Sequence, residues 1–173
     1  PEVRQYATRV LAKIGEDAKD AVSALIQTLQ DPEEIVRVSA AKALGSIGKD
    51  AKDAIPALVQ ALQDGVANVR SNAAEALAKI GKDAVPALVQ LLQDEVSNVR
   101  ASAVWTLAKI GKDAVPALIQ ALQNEDAQVR VSAAGVLGQI GSGAVDAMPA
   151  LIQVLKDQRS EERRVGKECR SRW

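Results

Sequence analysis

Apolar residues recur along this chain in two alternating patterns. In Ala54 to Gln63 the residues Ile55, Leu58, Val59 and Leu62 stand at offsets 0, 3, 4 and 7, which is one face of a helix. The second pattern runs from about Ala67 to Ile80 and sets Val69, Ala73, Leu77 and Ile80 at offsets 0, 4, 8 and 11. Small residues fill the positions between, so helices can approach closely. The first pattern is called A and the second B. Val-Arg opens B at Val3-Arg4, Val36-Arg37, Val69-Arg70, Val99-Arg100 and Val129-Arg130, and Ile-Gly closes it at Ile14, Ile47, Ile80, Ile110 and Ile140. Both series advance by 33, 33, 30 and 30 residues. The difference falls after Ile-Gly, where Gly48-Lys49-Asp50-Ala51-Lys52-Asp53 carries an Ala-Lys-Asp that Gly81-Lys82-Asp83 lacks, so a loop of variable length is expected there.

The punctuation is equally regular. Asp20, Asp53, Asp83, Asp113 and Asp146 precede the A patterns, where a carboxylate can cap free N–H groups and suits the positive end of the helix dipole. Pro56, Pro86, Pro116 and Pro149 follow inside the first turn, where a missing N–H costs nothing, and Ser23 stands there in the first copy. Gly after each closing Ile fits a left-handed C-cap, and Lys13, Lys79 and Lys109 lie in last turns, where the dipole favours a cation. Five B helices and five A helices are predicted: four whole A–B repeats, an orphan B helix at the start and an orphan A helix ending near Asp157. A period of this length means an all-α solenoid of antiparallel helix pairs. Arrays close with polar caps, and neither end shows one, so the chain is expected to be an internal piece of a longer array.

The run PALVQALQD followed by VRxxAAxALxKIG resembles the HEAT-like repeats of the short, bilin-lyase type, which include cyanobacterial members. The resemblance covers about residues 1 to 157 and implies a right-handed superhelix whose B helices line the concave face. It also implies a ladder along the solenoid between an Asp of the A–B turn and the Arg of Val-Arg. Asp31, Asp64 and Asp94 stand six residues before Arg37, Arg70 and Arg100, whereas Asn124 precedes Arg130 and should weaken the charge there. Such scaffolds usually bind proteins. The family also includes bilin-attachment lyases, a His-Glu metal hydroxylase and DNA-repair glycosylases.

Composition removes much of that chemistry. The chain has 173 residues with 22 Lys+Arg, 22 Asp+Glu, no His, one Cys, one Met, two Trp, one Tyr and no Phe. Without His there is no imidazole base or ligand, so the hydroxylase chemistry is unavailable. One Cys makes neither an internal disulfide nor a Cys-cluster zinc site. No apolar run approaches the roughly 20 residues of a membrane helix. A soluble, cytoplasmic protein without cofactor or metal is expected. Pro1 is not an initiator Met and no leader follows it, which points to processing or truncation of the natural start. Residues 1–157 are expected to form the solenoid and 158–173 a non-native, disordered tail. Within the tail, Arg159 to Trp173 (RSEERRVGKECRSRW) breaks the period and resembles the in-frame translation of a sequencing adapter, such as ends metagenomic gene fragments. The tail contributes six cations and three anions, which leaves residues 1–158 with 16 cations and 19 anions and no Cys.

Recognition should use the positions that vary from copy to copy. Aligned on Val-Arg, one B-helix stripe reads Gln5, Arg9, Lys13; Val38, Lys42, Ser46; Ser71, Glu75, Lys79; Ala101, Trp105, Lys109; and Val131, Gly135, Gln139. Residues four apart share a face. The middle position changes at every step, while the Leu two residues on is constant at Leu11, Leu44, Leu77, Leu107 and Leu137. The candidate binding residues are Arg9, Val38, Lys42, Ser71, Glu75, Ala101, Trp105, Lys109 and Val131, and the expected partner is a protein. Trp105 can be read as an exposed anchor for that partner or as a filler packed across a neighbouring helix. The stripe's five cations would also suit nucleic acid, but three of them are explained by helix ends, and Tyr6 and Trp105 are too few for a stacking platform. Nearly all the carboxylates fall at recurring cap and turn positions, with no unusual pair in one copy, so a small-molecule substrate and an enzymatic role have little support. A bilin-lyase role rests on the resemblance alone.

Overall fold

The computed structural model describes residues 2–156. The five B helices are α1 (Glu2–Ile14), α3 (Glu34–Ile47), α5 (Ala67–Ile80), α7 (Ser97–Ile110) and α9 (Ala127–Ile140). The five A helices are the shorter α2 (Val22–Thr28), α4 (Ile55–Ala61), α6 (Val85–Gln90), α8 (Val115–Ala121) and α10 (Met148–Lys156). Each B helix packs against the next B helix, and A helices fill the other layer, so the chain is an α-solenoid. The tail's proposed origin concerns residues outside those described.

The periodic residues form one continuous core. Leu44, Leu58, Leu62, Leu77, Leu88, Leu92, Leu107, Leu118 and Leu122 are buried, each burial being worth roughly 1.5–3 kcal/mol. Ala40, Ala43, Ala73, Ala76, Ala103 and Ala133 are buried among them and allow the close approach of B helices. Contact is tightest between α3 and α5, where a methyl built on Gly45 would sit 3.1 Å from Ala76 Cα. The buried hydroxyls of Thr8, Ser39 and Thr106 donate to carbonyls one turn back at 2.9, 2.8 and 2.6 Å, so these polar residues stay in the core at little cost. At the two ends the stacking faces are open. Val3, Tyr6, Val10 and Ile14 are exposed on α1, whereas Val36, Ser39, Ala43 and Ile47 are buried at the same register of α3. Leu155 is likewise exposed where Leu62, Leu92 and Leu122 are buried.

Three local expectations need correction. The variable segment is a 3-10 helix and not a loop: seven residues in Gly48–Ala54, four in Gly81–Ala84 and Gly111–Ala114. The three extra residues add a second 3-10 turn, set off from the first by a break at Ala51 (φ −91°, ψ 18°). The Asp before each A helix makes no side-chain cap, because the 3-10 segment runs straight into the helix and its carbonyls take N–H groups there, as Lys52 does from Ile55. Finally, Gly48, Gly81, Gly111 and Gly141 have φ between 62° and 83° but ψ between −127° and −135°. That lies outside the left-handed helical region and towards conformations open almost only to glycine, so the demand for Gly is stronger than a left-handed cap would make it.

Side-chain capping occurs in the A–B turns. Asp31, Asp64, Asp94 and Asn124 accept from the backbone N–H two residues on at 3.0, 2.8, 2.9 and 2.9 Å. Arg37, Arg70, Arg100 and Arg130 each donate through Nη1 to the carbonyl six residues back at 2.7–2.9 Å. The ionic rungs run between repeats. Arg37 Nε and Nη2 reach Asp64 at 2.8 and 3.1 Å, and Arg4 Nε reaches Asp31 at 2.7 Å. Burial raises the Asp64 pKa, but the Arg37 guanidinium and the Val66 N–H outweigh it and hold the carboxyl below its usual range. Asp31 is lowered mainly by the Glu33 N–H, helped by Arg4. Among the described residues no such rung joins Arg70 to Asp94. The two rungs accompany two of the three seven-residue 3-10 segments, Gly15–Ala21 and Gly48–Ala54, and their B helices pack along more of their length than those beyond α5. Asn124 keeps both the cap and the carbonyl contact of its Asp counterparts, so the Asn costs only a charge that Asp94 already leaves unpaired with Arg70.

Candidate functional site

Heptad-like spacing on each B helix sends the invariant Leu inward and the variable positions outward. Of the nine candidate residues, Arg9, Lys42, Ser71, Ala101, Trp105, Lys109 and Val131 are exposed, and Val38 and Glu75 are partly buried. Six of them line two clefts between neighbouring B helices, whereas Glu75, Lys109 and Val131 line neither. The first, of about 370 Å³ between α1 and α3, is lined by Gln5, Arg9, Ala12, Lys13, Ile35, Val38, Ser39 and Lys42. It holds three cations and no carboxylate. The second, of about 400 Å³ between α5 and α7, is lined by Ala67, Arg70, Ser71, Ala74, Asn98, Ala101, Ser102 and Trp105.

Trp105 is 43% exposed, which decides between its two readings in favour of the open one. Its ring is not loose. Lys109, one turn on in α7, places Nζ 4.7 Å from the ring centroid. The same Nζ meets Glu75 Oε2 of α5 at 2.6 Å, so Lys109 spans two repeats and covers part of the indole. Glu75, the stripe's one anion, is thereby neutralised. A second cation–aromatic pair, Arg9 Cζ at 5.7 Å from the Tyr6 ring, stands on α1.

Arg70, Asn98 and Ser102 were not anticipated in the Trp105 cleft. In sequence Arg70 reads as a ladder residue, and in the structure it both donates to the Asp64 carbonyl and lines the cleft. Asn98 and Ser102 lie beside the stripe rather than on it, and adjacent-face positions enter a cleft only when two helices are set side by side. A third cleft, of about 470 Å³, lies at the A–B turns around Asp31, Arg37 and Asp64, whose polar groups are already committed to one another. Among the described residues no three Asp, Glu, Cys or His side chains converge as a metal site would need, and no helix is long and apolar enough to cross a membrane.

The profile of HEAT repeats matches residues 1–78, 55–115 and 85–166. No curated protein matches in sequence. Among solved structures, an engineered protein superimposes with a TM-score of 0.51 at 29% identity, covering 88% of this chain and 79% of that one. The complex of CpcE and CpcF of phycocyanin lyase from Nostoc sp. PCC7120 gives 0.51 at 30% identity, over 81% of this chain and 60% of its counterpart. A structure of microtubule polymerases with TOG domain arrays, in the context of tubulin recruitment, gives 0.58 at 17% identity, over 96% of this chain and 43% of that one, a likeness of fold alone. This chain belongs to the HEAT-repeat family.

Proposed function

We propose that this chain is a cytoplasmic protein-binding scaffold whose partner docks on the concave face lined by the B helices. One observation carries the reading: the unvarying Leu is buried in α3, α5, α7 and α9, while the position two residues before it changes in every copy, from Arg9 to Lys42, Glu75, Trp105 and Gly135, and is exposed in all but Glu75. Stability has no use for that variation, whereas recognition of a particular surface does. Trp105, half-covered by Lys109, has the character of an interface anchor. The test is affinity capture with the wild-type chain and with a Lys42→Glu/Trp105→Ala variant of unchanged melting temperature. A partner held by the first and lost from the second supports the proposal. A partner held equally by both contradicts it.

The likeness to a phycocyanin lyase complex supports a second reading, a lyase-like subunit acting on a phycobiliprotein. Bilin transfer to a phycobiliprotein apoprotein, measured by visible absorbance with and without this chain, tests it. No dependence on the chain sinks it.

A further inference from the structure

Resting on the docking face proposed above, we infer that the partner presents an extended acidic segment, with an apolar or aromatic side chain about five or six residues from its acidic cluster.

Charge is segregated on this solenoid. The stripe carries Arg9, Lys13, Lys42, Lys79 and Lys109 against Glu75, while the rest of residues 1–158 holds 11 cations and 18 anions. The docking face is therefore basic on an otherwise acidic body. The basic character is also polarised along the array. Among the described residues no carboxylate comes within salt-bridge reach of Arg9, Lys13 or Lys42, and all three line the α1–α3 cleft. Further along, Glu75 and Lys109 satisfy each other, and the face turns apolar at Ala101, Trp105, Val131 and Gly135. A nucleic acid would want cations at a regular pitch along the whole groove. Here three of them, Arg9, Lys13 and Lys42, gather in the cleft at one end, while Lys79 stands alone beyond it and Lys109 is committed to Glu75.

The other end offers an anchor held in place. Lys109 and Glu75 fix the Trp105 ring beside a cleft floored by Ala74 and Ala101, so little side-chain freedom is lost on docking. Adjacent packed helices stand about 8–10 Å apart, which puts the two clefts roughly 16–20 Å from each other. An extended chain advances about 3.3 Å per residue, so about five or six residues span that distance. The spacing excludes a helical segment of the same length, which would reach only about half as far.

The full chain carrying Trp173→Phe leaves Trp105 as the sole indole reporter. The probes are synthetic peptides with a run of glutamates, a spacer of about six residues and a leucine, alongside versions with Gln for Glu or a spacer of about two. Single-stranded DNA is titrated in parallel. The inference predicts a saturable change in Trp105 emission with the first peptide, weakened at least tenfold by the Gln version, by the short spacer and by Lys42→Glu. Trp105→Ala, followed by anisotropy of labelled peptide, should weaken binding about 30-fold without lowering the melting temperature. Binding that survives both substitutions is overturning, since it then belongs elsewhere on the chain. Tighter binding of DNA than of the acidic peptide is equally overturning. A natural partner lost on Trp105→Ala while every acidic peptide fails sinks this inference and leaves the docking face standing.

Discussion

Asp64 separates the two tasks of the A–B turn. Its carboxylate accepts from the Val66 N–H at 2.8 Å and receives Arg37 in a bidentate pair at 2.8 and 3.1 Å, with both side chains 16% exposed. Asp64→Asn keeps the cap, as Asn124 does natively, and removes the charge. An exposed pair contributes at most about 1 kcal/mol and breaking a buried one costs about 3–5, so this half-buried pair should cost about 1–2 kcal/mol. Asp64→Ala also loses the cap and should cost about 1 kcal/mol more. Asp94→Asn, in a turn without the guanidinium rung, should stay within about 0.5 kcal/mol of wild type. Urea midpoints at neutral pH read all three. The pH dependence has a definite sign. Asp64 titrates lower folded than unfolded, so its contribution is present above the unfolded pKa and disappears as pH falls through the folded one. The gap between wild type and Asp64→Asn must close in acid, below the ordinary carboxylate range. If Asp64→Asn matched Asp94→Asn at neutral pH, the rung would be an ornament of the fold and the reasoning would fail.

Gly45 and Gly138 occupy one register on α3 and α9 but different surroundings. Gly45→Ala drives a methyl to 3.1 Å from Ala76 Cα and should destabilise by about 1–3 kcal/mol, whereas Gly138→Ala meets nothing within 4 Å and should stabilise by about 0.5–1 kcal/mol. Thermal melts of the pair check the opposite signs. Leu122→Ala, at a side chain 1% exposed, should cost about 2–5 kcal/mol, against less than about 0.5 for Leu155→Ala at 86% exposed. Calorimetry distinguishes them, and equal losses would mean that the end of α10 is covered. Ending the chain at residue 157 should leave the urea midpoint unchanged, as the proposed boundary requires. A drop would make residues 158–173 part of the folded array.

Much of this architecture is written in spacing. Offsets of three and four residues, Val-Arg at each start and Ile-Gly at each end placed α5 at its observed bounds, Ala67–Ile80, because a solenoid repeats the same local problem and its solutions recur in register. What spacing concealed was how backbone groups are satisfied. Asp53 looks like an N-cap in sequence, yet the 3-10 segment ending at Ala54 supplies carbonyls instead of a side chain. Asp64 and Arg70 stand six apart in sequence, but the carboxylate pairs across the repeat boundary with Arg37, a choice made by stacking and not by local order. The candidate face was legible because exposure follows from periodicity. Its two clefts were not, since Arg70 and Asn98 line one only when α5 and α7 lie side by side.

The central claim is that recognition belongs to the variable B-helix face. A substitution panel on the folded chain tests it directly: Arg9→Glu, Lys42→Glu, Trp105→Ala and Val131→Glu on that face, against Gln60→Ala, Gln90→Ala and Gln120→Ala on exposed positions of the A helices. Partner affinity, measured by calorimetry at constant salt, should fall at least tenfold for the B-helix set, most at Trp105, and hold within about twofold for the other. Loss confined to the A-helix set would contradict the account.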